Sequence, residues 1–288
     1  MKKLVPPDID DQTILTNMSI NKRLKCYPIL STEHDVLSAQ YQRYFESNGN
    51  PWHCIGKQVS VGLQSVLQDY YKKPFTEIKY IGQIRDTISP DVCPFCGSMK
   101  TGTVDHYLPQ ADYPEWSIYS KNLVPACDCN AKRQNDVKGN KPYERVLHPY
   151  FDHCLSERLI VCEFSGKFDM PIIDLVPLPV LSVHRGTLNF HINTVIKRST
   201  AISWMEKKWQ VLRRKPSNFL SNLPKQPLVT IDELDGYLID YCACKDSEMG
   251  TMNNWYSMLI YGIYIDPLAK KWLLNQHNGI ISGAINPL

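Results

Sequence analysis

Two cysteine pairs, Cys93-x-x-Cys96 and Cys127-x-Cys129, constrain this chain more than any other feature of its sequence. Pairs separated by a loop of this kind can supply four thiolates to one tetrahedral zinc. Four protein ligands make such a metal structural, because no position is left for a substrate. The loop between the pairs must then return on itself, held by about 10–16 kcal/mol of apparent metal-binding energy. The alternatives are four ordinary buried thiols or a disulfide pair. The first pair has the usual two-residue gap, and the second has one residue.

The residues inside and just after this bracket carry hydrolytic chemistry. Val104-Asp105-His106 reads as the end of a short strand, with Asp105 and His106 on opposite sides of it. His106 can take a proton from water near neutral pH. Asp105 is a hard oxygen ligand suited to Mg²⁺ or Mn²⁺. Asn122 stands where the chain turns back, and its amide can bond across the loop and fix the His106 ring. Cys129-Asn130-Ala131-Lys132-Arg133 reads as a helix start. There Asn130 would offer its amide oxygen to the ion held by Asp105, and Lys132 or Arg133 would meet a phosphate. A strand, a loop and a helix around one divalent ion suit phosphodiester hydrolysis.

The stretch resembles the HNH endonucleases (ββα-metal nucleases), in particular a bacterial branch with zinc-binding cysteine pairs. The resemblance rests on Cys93-Pro-Phe-Cys96-Gly97, Asp105-His-Tyr-Leu-Pro109, Tyr113-Pro-Glu115, Asn122-Leu-Val-Pro125 and His148-Pro-Tyr-Phe-Asp152. It implies His106 as general base, Asp105 and Asn130 as ligands of the catalytic ion, Asn122 as the residue orienting the loop, and Cys93, Cys96, Cys127 and Cys129 as zinc ligands. Two departures stand out. The third signature residue, often His in the family, is Asn130, which the family also uses, and the second cysteine pair is one residue short. The resemblance implies a nucleic-acid substrate, with DNA favoured and RNA such as tRNA as the alternative. The layout is also similar to the HNH subunits of Septu-type anti-phage systems, including retron-associated ones, which work beside an ATPase. A reading of another class is a non-catalytic zinc-ribbon module that binds nucleic acid.

Composition narrows the rest. With 32 Lys+Arg against 29 Asp+Glu the net charge is only +3, so nucleic-acid contact has to come from a local basic patch. Lys132, Arg133, Lys138 and Lys141 form one candidate flank, and the basic side of a helix over 199–214 is another. No run of about 20 apolar residues is present, so no membrane span is expected. The start, Met-Lys-Lys-Leu-Val-Pro-Pro, does not read as a signal peptide, and ten cysteines without one suggest a reducing cytoplasm. No phosphate-binding glycine loop is present, so any nucleotide dependence would come from a partner.

The expected fold is α+β and mainly helical, with a small zinc-stapled element between helical flanks. Residues 1–90 read as an irregular N-terminal arm, to about residue 30, and a platform with helices over 33–47, 59–72 and 75–87. Residues 91–153 hold the nuclease element, where His148 and Asp152 brace or pack against the site. Residues 154–288 form a C-terminal region that contacts partner or substrate. There, strands are expected over 157–165 and 187–193 with a Pro-rich connection between them. The helix over 199–214 carries a buried stripe of Ile202, Met205, Trp209 and Leu212. A helix over 231–244 ends near the buried thiols Cys242 and Cys244. The aromatic stretch 251–275 serves as core or as a partner surface.

Overall fold

The structure is a computed structural model that describes residues 1–86, 89–226 and 228–286. It is α+β, mainly helical, with two small two-stranded sheets among the described residues. Contacts divide the chain into two compact units. One takes Lys3–Phe95 and Lys100–His153, the other Met1–Lys2, Cys96–Met99 and Cys154–Leu288.

The first unit opens with α1 (Asp11–Ile20), where a wholly irregular arm was expected. Asp10 caps it by accepting from Thr13 N–H, and Leu15 and Met18 turn inward. α2 (Ile29–Glu46) buries Leu37, Tyr41 and Tyr44, an i, i+4, i+7 stripe, and leaves Val36 and Phe45 exposed. α3 (Val61–Lys72) is capped by Ser60 and buries Leu63, Leu67 and Tyr70. The expected helix over 75–87 is a short 3₁₀ turn, Thr76–Ile78, followed by α4 (Tyr80–Asp86), and Thr87 lies outside the described residues. β1 (Thr103–His106) and β2 (Leu123–Ala126) pair antiparallel, with Asp105 opposite Val124 and His106 opposite Leu123. The short helix α5 (Cys129–Arg133) follows directly.

The second unit is built on β3 (Ile160–Ser165) and β4 (Ile172–Pro177), which pair antiparallel from Ile160–Pro177 to Ser165–Ile172. The Pro-rich stretch expected to be a connection is therefore partly a strand. Pro171 precedes β4 and Pro177 ends it, positions where the missing N–H does little harm in a two-stranded sheet. The strand expected over 187–193 is instead α6 (Arg185–His191), continued by a π-helical turn, Ile192–Ile196. Buried Thr187, Leu188, His191, Ile192 and Val195 recur at helical spacing, and Thr194 and Ile196 of the turn are buried as well. In seven residues that spacing also passes for alternation. His184 caps α6 by accepting from Gly186 N–H at 3.0 Å.

α7 (Ala201–Arg214) buries Met205, Trp209 and Leu212 as expected, but Ala201 rather than Ile202 completes the stripe. α8 (Ile231–Met249) starts at a Thr230/Glu233 capping box and runs past the expected end. Cys242 is buried on it and Cys244 is exposed. α9 (Trp255–Ile265) and α10 (Pro267–Ile281) bury Trp255, Met258, Leu259, Ile263 and Leu273, while Tyr256, Tyr261, Tyr264 and Trp272 of the aromatic stretch are half-buried. No helix among the described residues is long and apolar enough to cross a membrane.

Candidate active site and metal centre

Cys93, Cys96, Cys127 and Cys129 are all buried, and their sulfurs lie within 4.8 Å of one another. The Sγ atoms of Cys93 and Cys129 are 3.6 Å apart. A disulfide needs about 2.05 Å, and no disulfide joins any of the ten cysteines. The edge of a tetrahedral ZnS₄ unit, with bonds of about 2.3 Å, is about 3.8 Å, so the cluster has the size of a zinc site. An all-sulfur donor set suits zinc and is wrong for Mg²⁺ or Ca²⁺. Gly97 follows the first pair at φ +82°, a backbone shape that favours glycine. In the shortened second pair, Cys129 opens α5 and its N–H points at Cys127 Sγ, 3.4 Å away. The missing residue thus does not keep the two thiols from the cluster.

His106 ends β1 and is 3% exposed. Its Nε2 lies 2.8 Å from the carbonyl oxygen of Ser117. A carbonyl only accepts, so Nε2 carries the hydrogen and Nδ1 keeps its lone pair. Nδ1 is 3.8 Å from Asp105 Oδ1. Strict strand alternation would separate Asp105 and His106. Both line one open polar hollow of about 280 Å³, together with Asn130 and Gln110. The Tyr71 ring lies against the His106 ring at 4.3 Å, and its hydroxyl donates to the Val104 carbonyl.

Burial alone would raise the Asp105 pKa. Hydrogen bonding, including that from the His106 backbone N–H to Oδ1 at 2.8 Å, outweighs it and holds the carboxyl below its usual value. Asp105 is therefore an anion across the neutral range, suited to a divalent cation. Asn130 donates from Nδ2 to the His106 carbonyl at 3.2 Å and accepts from Arg133 Nε at 3.0 Å. Its amide oxygen has a second lone pair for an ion beside Asp105. Lys132 and Arg133 differ sharply. Lys132 is exposed and pairs with Asp128 at 2.9 Å. Arg133 is 1% exposed and donates from Nη2 to the carbonyls of His106 and Tyr107, each at 3.0 Å. Arg133 thus braces the strand end that carries His106.

Asn122 ties the loop together. Its Nδ2 donates to the carbonyls of Leu108 and Trp116, each at 3.1 Å, and its Oδ1 accepts from Leu108 N–H at 2.8 Å. It touches the loop that ends at Ser117, and the Ser117 carbonyl in turn aims His106. Behind it runs a chain in which His148 and Asp152 were expected as braces but Tyr44 was not. Tyr44 Oη donates to Asn122 Oδ1 at 3.1 Å and lies 2.9 Å from His148 Nε2. His148 Nδ1 accepts from Tyr150 N–H at 3.1 Å, so Nε2–H is the donor to Tyr44. Burial pushes His148 down to about 3, which keeps it neutral. Asp152 accepts two bonds from Arg145, at 2.7 and 2.6 Å, and one from His148 N–H at 2.6 Å. The only sequence signal for Tyr44 was its place on the inward stripe of α2. Glu115, fully buried, accepts backbone N–H groups of Gln58 and Val59.

Comparison with known proteins adds little. No family model matches the chain, and no solved structure matches it. The chain is similar to Protein ea31 of Escherichia phage lambda, 44% identical over 66 residues. That match covers 22% of this chain and 22% of the phage protein, about a fifth of each.

Proposed function

We propose that this chain is a divalent-metal-dependent phosphodiesterase acting on nucleic acid, an HNH-type endonuclease stapled by a structural zinc. The observation that supports it most is the state of His106. Its Nε2 is committed to the Ser117 carbonyl, its Nδ1 lone pair is available, and Asp105 and Asn130 stand beside it in one open hollow. A histidine serving only as a structural donor would not need oxygen ligands for a hard cation next to its basic nitrogen.

A Mg²⁺ or Mn²⁺ ion would supply charge stabilisation for the pentavalent phosphorus and for the leaving oxygen. Asp105 and Asn130 would hold that ion. His106 Nδ1 removes the proton from the attacking water. The Ser117 carbonyl stabilises the imidazolium that results, and Asn122 keeps that carbonyl in place through Trp116. Lys132, exposed at the end of α5, is available to a flanking phosphate. DNA is the favoured substrate, with RNA as the alternative. The likeness to Septu-type subunits makes an ATPase the first protein partner to seek, by co-purification with neighbouring gene products.

The test is cleavage of plasmid DNA and total cellular RNA by the purified zinc-loaded chain, in Mg²⁺, Mn²⁺ or EDTA. His106→Ala should lower the rate by about 10²- to 10⁴-fold without loss of zinc, and EDTA should abolish cleavage. Binding of nucleic acid with no metal-dependent cleavage, unchanged in His106→Ala and in the presence of the co-purified partner, would instead make the chain a zinc-ribbon binding module.

A further inference from the structure

A second hollow, of about 360 Å³, lies on the first unit beside α3. Its rim carries four cations, Arg23, Lys25, Lys72 and Lys73, against one carboxylate, Asp69. Asp69 stands 3.7 Å from Lys72, and both side chains are mostly exposed. Its floor is aromatic. Tyr70 and Phe75 meet edge to face, with centroids 4.8 Å apart. Tyr70 is anchored from behind, because its hydroxyl accepts the Cys26 N–H at 3.1 Å. Four like charges set around an apolar floor repel one another until a polyanion arrives. The volume is that of a small-ligand site.

The same helix reaches the candidate active site. Tyr71 packs on His106, and Gln68 Nε2 donates to the carbonyl of Gln110, which lines the first hollow. Residues 68 and 71 thus touch residues that line one hollow, while 69, 70, 72 and 73 line the other.

We infer that the hollow beside α3 binds an unpaired nucleotide of the nucleic-acid strand whose backbone is cut at His106. This rests on the nuclease reading above. The base lies over Phe75 and Tyr70, and the phosphates on either side meet Arg23, Lys25, Lys72 and Lys73. A duplex offers only phosphates to such a rim, because its bases stay stacked. The preferred substrate therefore carries an overhang, bulge or loop next to the scissile bond.

The experiment measures binding of a fluorescein-labelled single-stranded oligonucleotide, and of the matching duplex, to the zinc-loaded full chain carrying His106→Ala. Adding Phe75→Ala should weaken single-strand binding by about 5- to 150-fold and leave duplex binding unchanged, with Phe75→Trp restoring it. The double variant Lys72→Glu, Lys73→Glu alters only exposed side chains. It should weaken single-strand binding at least tenfold and reduce the slope of log K against log salt by about 1.4. Hydrolysis of bis(p-nitrophenyl) phosphate, too small to need the hollow, should be the same with and without these changes when His106 is intact. Single-strand affinity that ignores both Phe75→Ala and the charge reversal overturns the inference. So does full competition by a free mononucleotide at equal concentration, which would make this a nucleotide pocket. If the intact chain hydrolyses neither the small diester nor nucleic acid, the nuclease reading fails, and the binding data still decide whether the hollow takes a strand.

Discussion

The two hairpins of this chain are the same motif held by opposite means. Each is an antiparallel pair standing alone, and two strands by themselves are marginal in water. β3–β4 has six-residue strands and is held by apolar packing. Ile160, Val161, Cys162 and Phe164 turn inward, Phe164 meets Trp209 at 4.8 Å, and Trp209 stacks on Trp272 at 4.8 Å. Gly262 of α9 packs so closely that an added Cβ would sit 2.5 Å from the Cys162 carbonyl oxygen. β1–β2 has four-residue strands and is held by side chains that bond its backbone. Tyr71 donates to Val104, Arg133 to His106, Tyr150 to Leu123 and Thr103 to Ala126, and the cysteine cluster stands beside them. A strand that must show Asp105 to an open hollow has too little apolar face left to hold itself, so directional bonds take over. Those bonds also give β1–β2 the positional control that the proposed role of His106 would need.

Removing the metal should break the comparison most strongly. Stripping zinc, or Cys93→Ser, should cost on the order of 10 kcal/mol of apparent stabilisation. Hydrogen exchange should show β1–β2 losing protection while β3–β4 keeps its own, and metal analysis should give one zinc per wild-type chain. Equal loss in both hairpins would erase the distinction.

Acid should act next, and on the unit that contains β1–β2. The folded-state pKa of His148 is depressed to about 3, below its ordinary 6.5. Below pH 6.5 the unfolded chain takes up a proton that the folded chain refuses. Stability is therefore full above pH 6.5 and falls as pH drops toward 3, by a few kcal/mol over the window. Urea midpoints against pH should show this slope, and His148→Gln should flatten it.

Gly262→Ala strikes only the apolar hairpin. The new methyl has no room against β3, and overpacking of this kind costs about 1–3 kcal/mol. A lower thermal midpoint with normal zinc content and normal cleavage would sharpen the comparison, whereas lost cleavage would blur it. Tyr44→Phe is the mildest change. Asn122 Oδ1 keeps its bond from Leu108, so about 1 kcal/mol is at stake. Cleavage should slow a few-fold through kcat with KM unchanged, because Asn122 holds the loop whose Ser117 carbonyl aims His106.

Legibility followed sequence distance. The cysteine pairs, Asp105-His106, Asn122 and Asn130 could be singled out as candidates because each carries its chemistry in its own identity and all stand within one short stretch, and the structure brings the four cysteines together and places Asp105, His106 and Asn130 on one hollow. Helices over 33–47, 59–72 and 199–214 were readable from apolar spacing over several turns. The segment 187–193 was not, because seven residues fit two periods and only burial at 187, 188, 191, 192 and 195 decides for the helix. Arg133 read as a phosphate contact because charge usually lies outside, yet it is buried with carbonyls to bond.

Sequence alone determined the α+β class and the residue types available to the candidate site, four thiols and a set of oxygen donors, since these depend on residue identity and local spacing. Tertiary structure decided that the four sulfurs converge, that Asp105 and His106 share one hollow, and that Nδ1 rather than Nε2 of His106 keeps its lone pair. That last choice is made by one acceptor, the Ser117 carbonyl, which Asn122, Tyr44 and His148 help to place from distant parts of the chain. Such a partner carries no mark in the sequence, because every residue has a carbonyl and only the fold determines which one a histidine meets.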